Sequence, residues 1–270
     1  MTTIALPGPL TLGLARATVE LRTFFRQRDA VVFTFALPVV IMVILCSVFG
    51  NNTAGSISAS QLLAAGLIAG GIASTSFVNL SDSITNDREN GTLKRLRGAP
   101  LPAASYFIGK LVLVLVASLA EVAIMLTVAV AAFELTLPTT VSAWATFTWI
   151  FLLGVTACSL IGIVLSSLVR TTSGAAAMSN LALVVLQFIS GIYVLPLKNL
   201  PDPLVTLGSL FPLKWMAQGF RSVFLPADMA GHEVAGAWEH GRIALVLVAW
   251  CIGGLVLCLM TFRWRSRREG

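Results

Sequence analysis

The chain has 270 residues, of which 57% are hydrophobic and only 11% charged, with a formal net charge of +6. Soluble domains carry about 45–50% apolar and about 25% charged residues, so this composition excludes a soluble globule and a disordered chain and leaves an integral membrane protein. At about 20 apolar residues per crossing, the length allows roughly six to eight membrane helices and no soluble catalytic domain of normal size.

In chain order, residues 1–29 lack a long apolar run, so no cleavable signal is expected. Residues 11–29 instead read as an amphipathic helix. Leu14, Ala17, Leu21, Phe24 and Phe25 recur at helical spacing, while Arg16, Glu20, Arg22, Arg26 and Arg28 populate the other sides. Such a helix is expected to lie along the membrane surface. Six apolar segments follow at 30–49, 61–80, 107–133, 143–169, 175–195 and 243–262, each long enough to span. Pro38 is expected to kink the first. The fold class is therefore all-α, with six transmembrane helices, an N-terminal amphipathic interfacial helix at 1–29 and a six-helix domain at 30–270.

Orientation follows from the basic residues. Arg16, Arg22, Arg26, Arg28, Arg88, Lys94, Arg95, Arg97, Lys110, Arg170, Arg263, Arg265, Arg267 and Arg268 fall on one side of the six-span layout. Lys198, Lys214, Arg221 and Arg242 fall on the other. Under the positive-inside rule this asymmetry puts both termini in the cytoplasm. Two connections stand out. The cytoplasmic link 81–106 is charged and contains Gly91, Gly98, Pro100 and Pro102. The outer segment 196–241 holds apolar stretches at 204–211 and 213–224 that are too short to span, and these are expected to dip into the outer leaflet or lie on it.

Catalytic and metal motifs are missing. Gly109-Lys110 is followed by Leu111, so it is not the P-loop that cradles phosphates. His232-Glu233 has no histidine three positions on, so it is not a zinc-protease helix; His232, Glu233, Glu239 and His240 read as solvated loop residues. Cys46, Cys158, Cys251 and Cys258 lie inside apolar runs and read as small buried hydrophobes. No cofactor is expected on this chain.

Within the spans, Glu121 is the outlier, because a charge at the bilayer centre costs about 2.5–3.5 kcal/mol on insertion scales. It should face protein or water. Gly66, Gly70 and Ser74 form a ladder of small residues that lets helices approach closely. Polar residues continue with Ser74, Thr75, Ser76 and Asn79 in the second span and Asn180, Gln187 and Tyr193 in the fifth.

The link reads Asp87-Arg88-Glu89-Asn90-Gly91-Thr92-Leu93-Lys94-Arg95-Leu96, then Pro100, then Gly109-Lys110. This pattern resembles the E-x-G-T-L, x-x-L, x-x-x-P, then G-K signature of ABC-2 type permeases, the membrane subunits of ATP-binding-cassette exporters. Phe211-Pro212-Leu213-Lys214-Trp215, with Arg221 following, is similar to that family's segment before its last span. The resemblance runs over nearly the whole chain. It implies a coupling element carrying Glu89, Gly91, Thr92, Leu93 and Leu96, docked on a separate ATPase subunit that binds ATP and Mg2+. It also implies pairing with a second permease, either a copy or a paralogue, in a bacterial plasma membrane. Spans two and five would line the path, which makes Phe77, Asn79, Glu121, Gln187 and Phe188 the substrate-path candidates. The expected cargo is a hydrophobic or amphipathic compound: a drug, a lipid or a lipid-linked glycan. From the residues alone, a proton-coupled secondary transporter working through Glu121 and a non-transporting sensor or assembly protein stay open.

Overall fold

A computed structural model of the chain describes residues 8–50, 53–54, 57–98, 102–169, 171–193 and 201–261. Pro100, Arg170, Lys198 and the C-terminal arginines from Arg263 onward lie outside these residues. Eleven α-helices are described: α1 Pro9–Arg26, α2 Arg28–Phe49, α3 Ala59–Ala73, α4 Leu80–Glu89, α5 Thr92–Gly98, α6 Ala103–Phe133, α7 Val141–Leu168, α8 Thr172–Ile189, α9 Asp202–Ser209, α10 Pro212–Phe224 and α11 His240–Thr261. A π-helical turn, Ser74–Asn79, joins α3 to α4, and a 3-10 turn, Ala227–His232, follows α10. Two antiparallel two-residue strands, β1 Thr53–Ala54 and β2 Ile57–Ser58, pair before α3.

Six helices are long and apolar enough to cross a membrane: Arg28–Phe49, Ala59–Glu89, Ala104–Phe133, Val141–Leu168, Thr172–Ile189 and His240–Thr261. The second of these, made of α3, the π-helical turn and α4, is the central helix and almost wholly buried. The first, fifth and sixth are peripheral and turn most of their apolar surface outward. That division follows from composition: after Ser60 and Gln61 in its first turn, α3 is built from Ala, Gly, Leu and Ile with no charge, so its whole circumference can take neighbours.

The second span runs past its apolar end at Leu80 to Glu89. Polar residues do not stop it because they have partners inside the bundle. Ser179 Oγ donates to Asp82 at 3.5 Å, and Lys110 Nζ donates to Ser83 at 2.7 Å. The expected 81–106 link is thereby reduced to a short elbow. The fifth span ends at Ile189, where Gly191 takes a φ of 67° and Ile192 N donates back to Gln187 O at 3.1 Å. This left-handed stop is one that glycine supplies without steric strain. Pro38 sits inside α2 without ending it.

Two sequence expectations change in detail. The amphipathic helix does more than lie on a surface. α1 turns Gly13, Ala17 and Glu20 into the protein, where a Cβ on Gly13 would stand 2.7 Å from Ile108 and one on Gly109 2.8 Å from Arg16. Glycine at both positions lets α1 and the start of α6 touch along their backbones. In the outer segment, α10 dips inward and is buried on nearly all sides against α3, α7 and α11. Its polar face is covered by the chain on either side of it. Arg221 Nε lies 2.6 Å from Glu233 Oε1, Gln218 donates to Ala237 O at 3.2 Å, and Lys214 donates to Ser209 Oγ. Burial pushes the Lys214 ammonium below its usual pKa, and the group also stands 4.9 Å over the Trp215 ring.

Candidate functional site

Two regions hold the chemistry-bearing residues: an elbow at the end of the second span and a polar track through the middle of the bundle. The elbow starts where α4 stops. Asn90 N donates to Asn86 O, and Gly91, at φ 71°, redirects the chain into α5. Leu93 is buried at 2% exposure, Thr92 and Leu96 are half-buried, and Glu89 is exposed. α5 therefore presses one apolar side on the body and leaves Lys94 and Arg95 outward.

Glu89 does more than project from the elbow. Its Oε2 accepts from Thr172 N at 2.9 Å and from Thr172 Oγ1 at 2.6 Å. The carboxylate thus caps the N-terminus of α8, where unpaired amides and the helix dipole favour negative charge. Next to it, Arg88 Nη2 donates to Val169 O in the α7–α8 connection. The end of span two is in this way tied to the hinge between spans four and five.

On its other side the elbow root is bound to α1 and to the third span. Lys110, on α6, is 2% exposed and bridges two acids: Glu20 of α1 at 2.9 Å and Asp87 of α4 at 2.7 Å. Tyr106 donates to the same Asp87 oxygen at 2.9 Å, and Arg16 lies 2.5 Å from Glu20. A buried ammonium is tolerable when carboxylates and hydroxyls satisfy it, and Lys110 has two acids and Ser83. The Gly109-Lys110 pair of the sequence is therefore the junction where α1, α4 and α6 meet.

The polar track runs along the central helix. Glu121 is fully buried; Thr75 Oγ1, in the π-helical turn, donates to its Oε2 at 2.5 Å, and its Oε1 has no hydrogen-bond partner among the described residues. The glycines of α3 make room for polar heads. A Cβ on Gly71 would stand 2.9 Å from Glu121 Oε1, one on Gly70 2.6 Å from Gln187 Nε2, and one on Gly66 3.0 Å from Arg221 Nη1. The small-residue ladder therefore admits side chains from α6, α8 and α10, and these fill the space that a close backbone approach would otherwise take. π-helical turns occur disproportionately at functional positions, and this one carries both Thr75 and Phe77.

Of the five path candidates, Glu121 and Gln187 each pack against a glycine of α3, Glu121 at Gly71 and Gln187 at Gly70. Gln187 is 7% exposed and accepts from the Tyr193 hydroxyl at 2.5 Å. Phe188 points outward at 53% exposure, edge-on to Tyr193 at 5.0 Å. Phe77 is buried toward α7, where its carbonyl would stand 2.7 Å from a Cβ on Gly162. Asn79 reaches away from the track and donates to Thr34 Oγ1 of α2 at 3.2 Å. The pairings with Thr172, Val169, Asp87, Glu20 and Arg221 were not expected from the sequence, where Glu20 stood only on a helix face and Asp87 and Arg221 only within motifs. Their separations along the chain, 83 residues for Glu89–Thr172 and 90 for Lys110–Glu20, leave no periodic signal. The one available hint was Lys110 itself, a charge set four residues inside an apolar run.

Of the acids and histidines between α10 and the start of α11, Glu233, Glu239 and His240 are engaged locally, while His232 Nδ1 is buried without a hydrogen-bond partner among the described residues. Glu233 pairs with Arg221, Glu239 with Arg242 at 2.6 Å, and His240 Nε2 sits 3.0 Å from Ser222 Oγ. All four cysteines are free thiols.

Set beside known proteins, residues 15–225 match the family model described as ABC-2 type transporter, a stretch that runs from α1 through α10 and contains the elbow and the polar track. No individually curated protein matches the chain. The match covers well over half of the sequence and the family's members are membrane permeases, so the chain belongs to the ABC-2 type transporter family and is a multi-pass permease component of an ABC-type transporter.

Proposed function

We propose that this permease exports a hydrophobic or amphipathic compound, driven by ATP hydrolysed on a separate subunit, and that it works as a pair with a copy of itself or a paralogue. The observation that carries this reading is the double anchoring of the elbow. A short segment outside the membrane is bound through Asp87 to Lys110 and α1, and through Glu89 and Arg88 to the start of α8. A push on α5 reaches spans two, three and five at once, as a rigid-body coupling requires. No ATP-binding motif occurs within these 270 residues, and we assign the motor, with its ATP and Mg2+, to a partner protein. Glu89, Gly91, Thr92, Leu93 and Leu96 form the docking element, and both termini lie with it on the cytoplasmic side of a bacterial plasma membrane.

In the working cycle, ATP-driven closure of two motor subunits displaces both elbows and moves the spans that bound the path. Flux then follows from different affinities for cargo in the inward and outward states. The path lies between the paired permeases beside spans two and five: Phe188 faces it from the outward side of α8, and Phe77, Asn79, Glu121 and Gln187 stand behind that surface on or against the enclosed second span. The apolar outward surface of α8 and the sparse charge suit a cargo that partitions into membrane.

Purification with candidate ATPases, followed by ATPase assays with and without amphipathic compounds, tests the reading. A stable complex whose hydrolysis rises with cargo is expected. In that complex Glu89→Lys and Gly91→Pro are expected to lower ATPase capture while membrane insertion stays intact. Undiminished capture by both variants would remove the docking assignment, and cargo flux by the chain alone, without ATP, would replace the exporter with a secondary transporter.

A further inference from the structure

The outer sides of α1 are divided in a way that docking on α6 does not explain. With Gly13, Ala17 and Glu20 turned inward, helical geometry puts Leu10, Leu14, Leu21 and Phe25 along one flank. Leu10, Leu14 and Phe25 are 65%, 51% and 47% exposed. Beyond this stripe stand Arg22 and Arg26, one turn apart, and Arg28 follows the break at Gln27. All three arginines are exposed, and none has an ion-pair partner among the described residues. An apolar stripe bordered by unpaired arginines matches the boundary between acyl chains and anionic headgroups.

Its location fits the same boundary. A single residue, Gln27, separates α1 from α2, and α2 presents exposed Val32, Phe33 and Leu37 within its first turns. The lipid-facing surface of the first span therefore begins where the arginines of α1 end. A helix held this close to a span stays at the headgroup level, with its stripe toward the acyl chains and its arginines toward the headgroups.

We propose that the outward face of α1 binds anionic phospholipid headgroups of the cytoplasmic leaflet, and that lipid held there steadies the elbow through the Glu20–Lys110–Asp87 bridge. The relay is short. Glu20 sits on the inward face of the lipid-binding helix, Lys110 joins it at 2.9 Å, and Asp87, 2.7 Å from Lys110, lies two residues before Glu89 at the elbow root. The inference rests on the exporter reading only for the cytoplasmic placement of α1 and for the elbow's role as docking element.

The full-length chain in nanodiscs of phosphatidylcholine alone, or of phosphatidylcholine mixed with phosphatidylglycerol, provides the test. One readout is the relative association of spin-labelled phosphatidylglycerol and phosphatidylcholine; the other is amide hydrogen exchange in residues 90–98. A preference for phosphatidylglycerol of roughly threefold or more is expected, since each basic residue near an anionic surface adds measurably to binding. It should fall as salt is raised and drop close to one in Arg22→Gln/Arg26→Gln/Arg28→Gln. Exchange in 90–98 should slow in phosphatidylglycerol, and Glu20→Gln, whose amide still accepts a hydrogen bond, should keep the lipid preference while losing that slowing. A wild-type preference near one, a preference unchanged in the triple variant, or elbow exchange indifferent to lipid would overturn the proposal. So would a triple variant that keeps its lipid preference but loses ATPase capture, because the face would then belong to the motor. Neither readout uses an ATPase, so a chain that captures none yet shows both effects would support the lipid surface and count against the exporter reading alone.

Discussion

Lys110 and Glu121 are both charged residues within the apolar spans, and the structure treats them differently. Lys110 is surrounded by two carboxylates and a serine hydroxyl, while Glu121 has one hydroxyl and a bare oxygen. Removing one member of a buried charge network leaves the others uncompensated, at about 3–5 kcal/mol. Lys110→Met is therefore expected to lower thermal stability in detergent markedly. The triple change Lys110→Met/Glu20→Gln/Asp87→Asn should regain much of the loss by removing the stranded charges. A single variant no less stable than the triple would show that the network carries no net constraint. At Glu121 the expected ranking differs. Glu121→Gln keeps an acceptor for Thr75 of nearly the same shape and should fold and transport. Glu121→Leu strands the hydroxyl, at about 1–3 kcal/mol, and sets branched carbons against the backbone of Gly71, where Oε1 already lies 2.9 Å from a Cβ position. Loss of transport in both variants would instead make the charge itself essential.

At the scale of elements, the elbow depends on a cap and a turn. Glu89 caps α8 from another helix, so Glu89→Gln should speed amide exchange in residues 172–175 more than in α4 itself. Equal effects in both helices would mean that Glu89 acts only within α4. Gly91 holds a φ of 71° in open space, so alanine there meets backbone strain without a clash. About 1 kcal/mol of stability should be lost, read as a small drop in melting temperature. Of this region, the sequence made the spans, the elbow's position and the short outer helices legible, because runs of about 20 apolar residues and Gly/Pro punctuation are local signals. The continuation of the second span to Glu89 was hidden. Asp82, Ser83 and Asp87 read as a loop until their partners on α6 and α8 are known, and those partners are distant in sequence. Gly66 and Gly70 were visible, with Ser74, as a ladder of small residues, and Gly71 was not singled out. That they receive Arg221, Gln187 and Glu121 depends on the inward dip of α10 and the placement of α6 and α8, which no periodicity encodes.

For the whole molecule, what one chain leaves outward bears on assembly. Span two is enclosed, whereas α8 shows Met178, Leu181, Val184, Val185 and Phe188 outward, all at 46% exposure or more. Lipid would satisfy those side chains. It would not satisfy Asn180, which sits in the same helix, exposed, with its amide donating back to Ala176 O at 2.7 Å. The side-chain carbonyl has no hydrogen-bond partner among the described residues, and polar side chains within spans turn toward protein or water. The outward face of α8 is therefore expected to meet a second permease or the path between two permeases. With Cys46, Cys158, Cys251 and Cys258 replaced by serine or alanine, Asn180→Cys should form a disulfide-linked dimer under mild oxidation in native membranes. Leu257→Cys on the exposed side of α11 should not. Dimers from the α11 position with none from α8 would move the interface to the sixth span. Nucleotide adds a second reading of the same pair: if the elbow moves α8, trapping the motor in its ATP-bound state should change the α8 cross-linking yield several-fold, and an unchanged yield would separate the dimer contact from the coupling path.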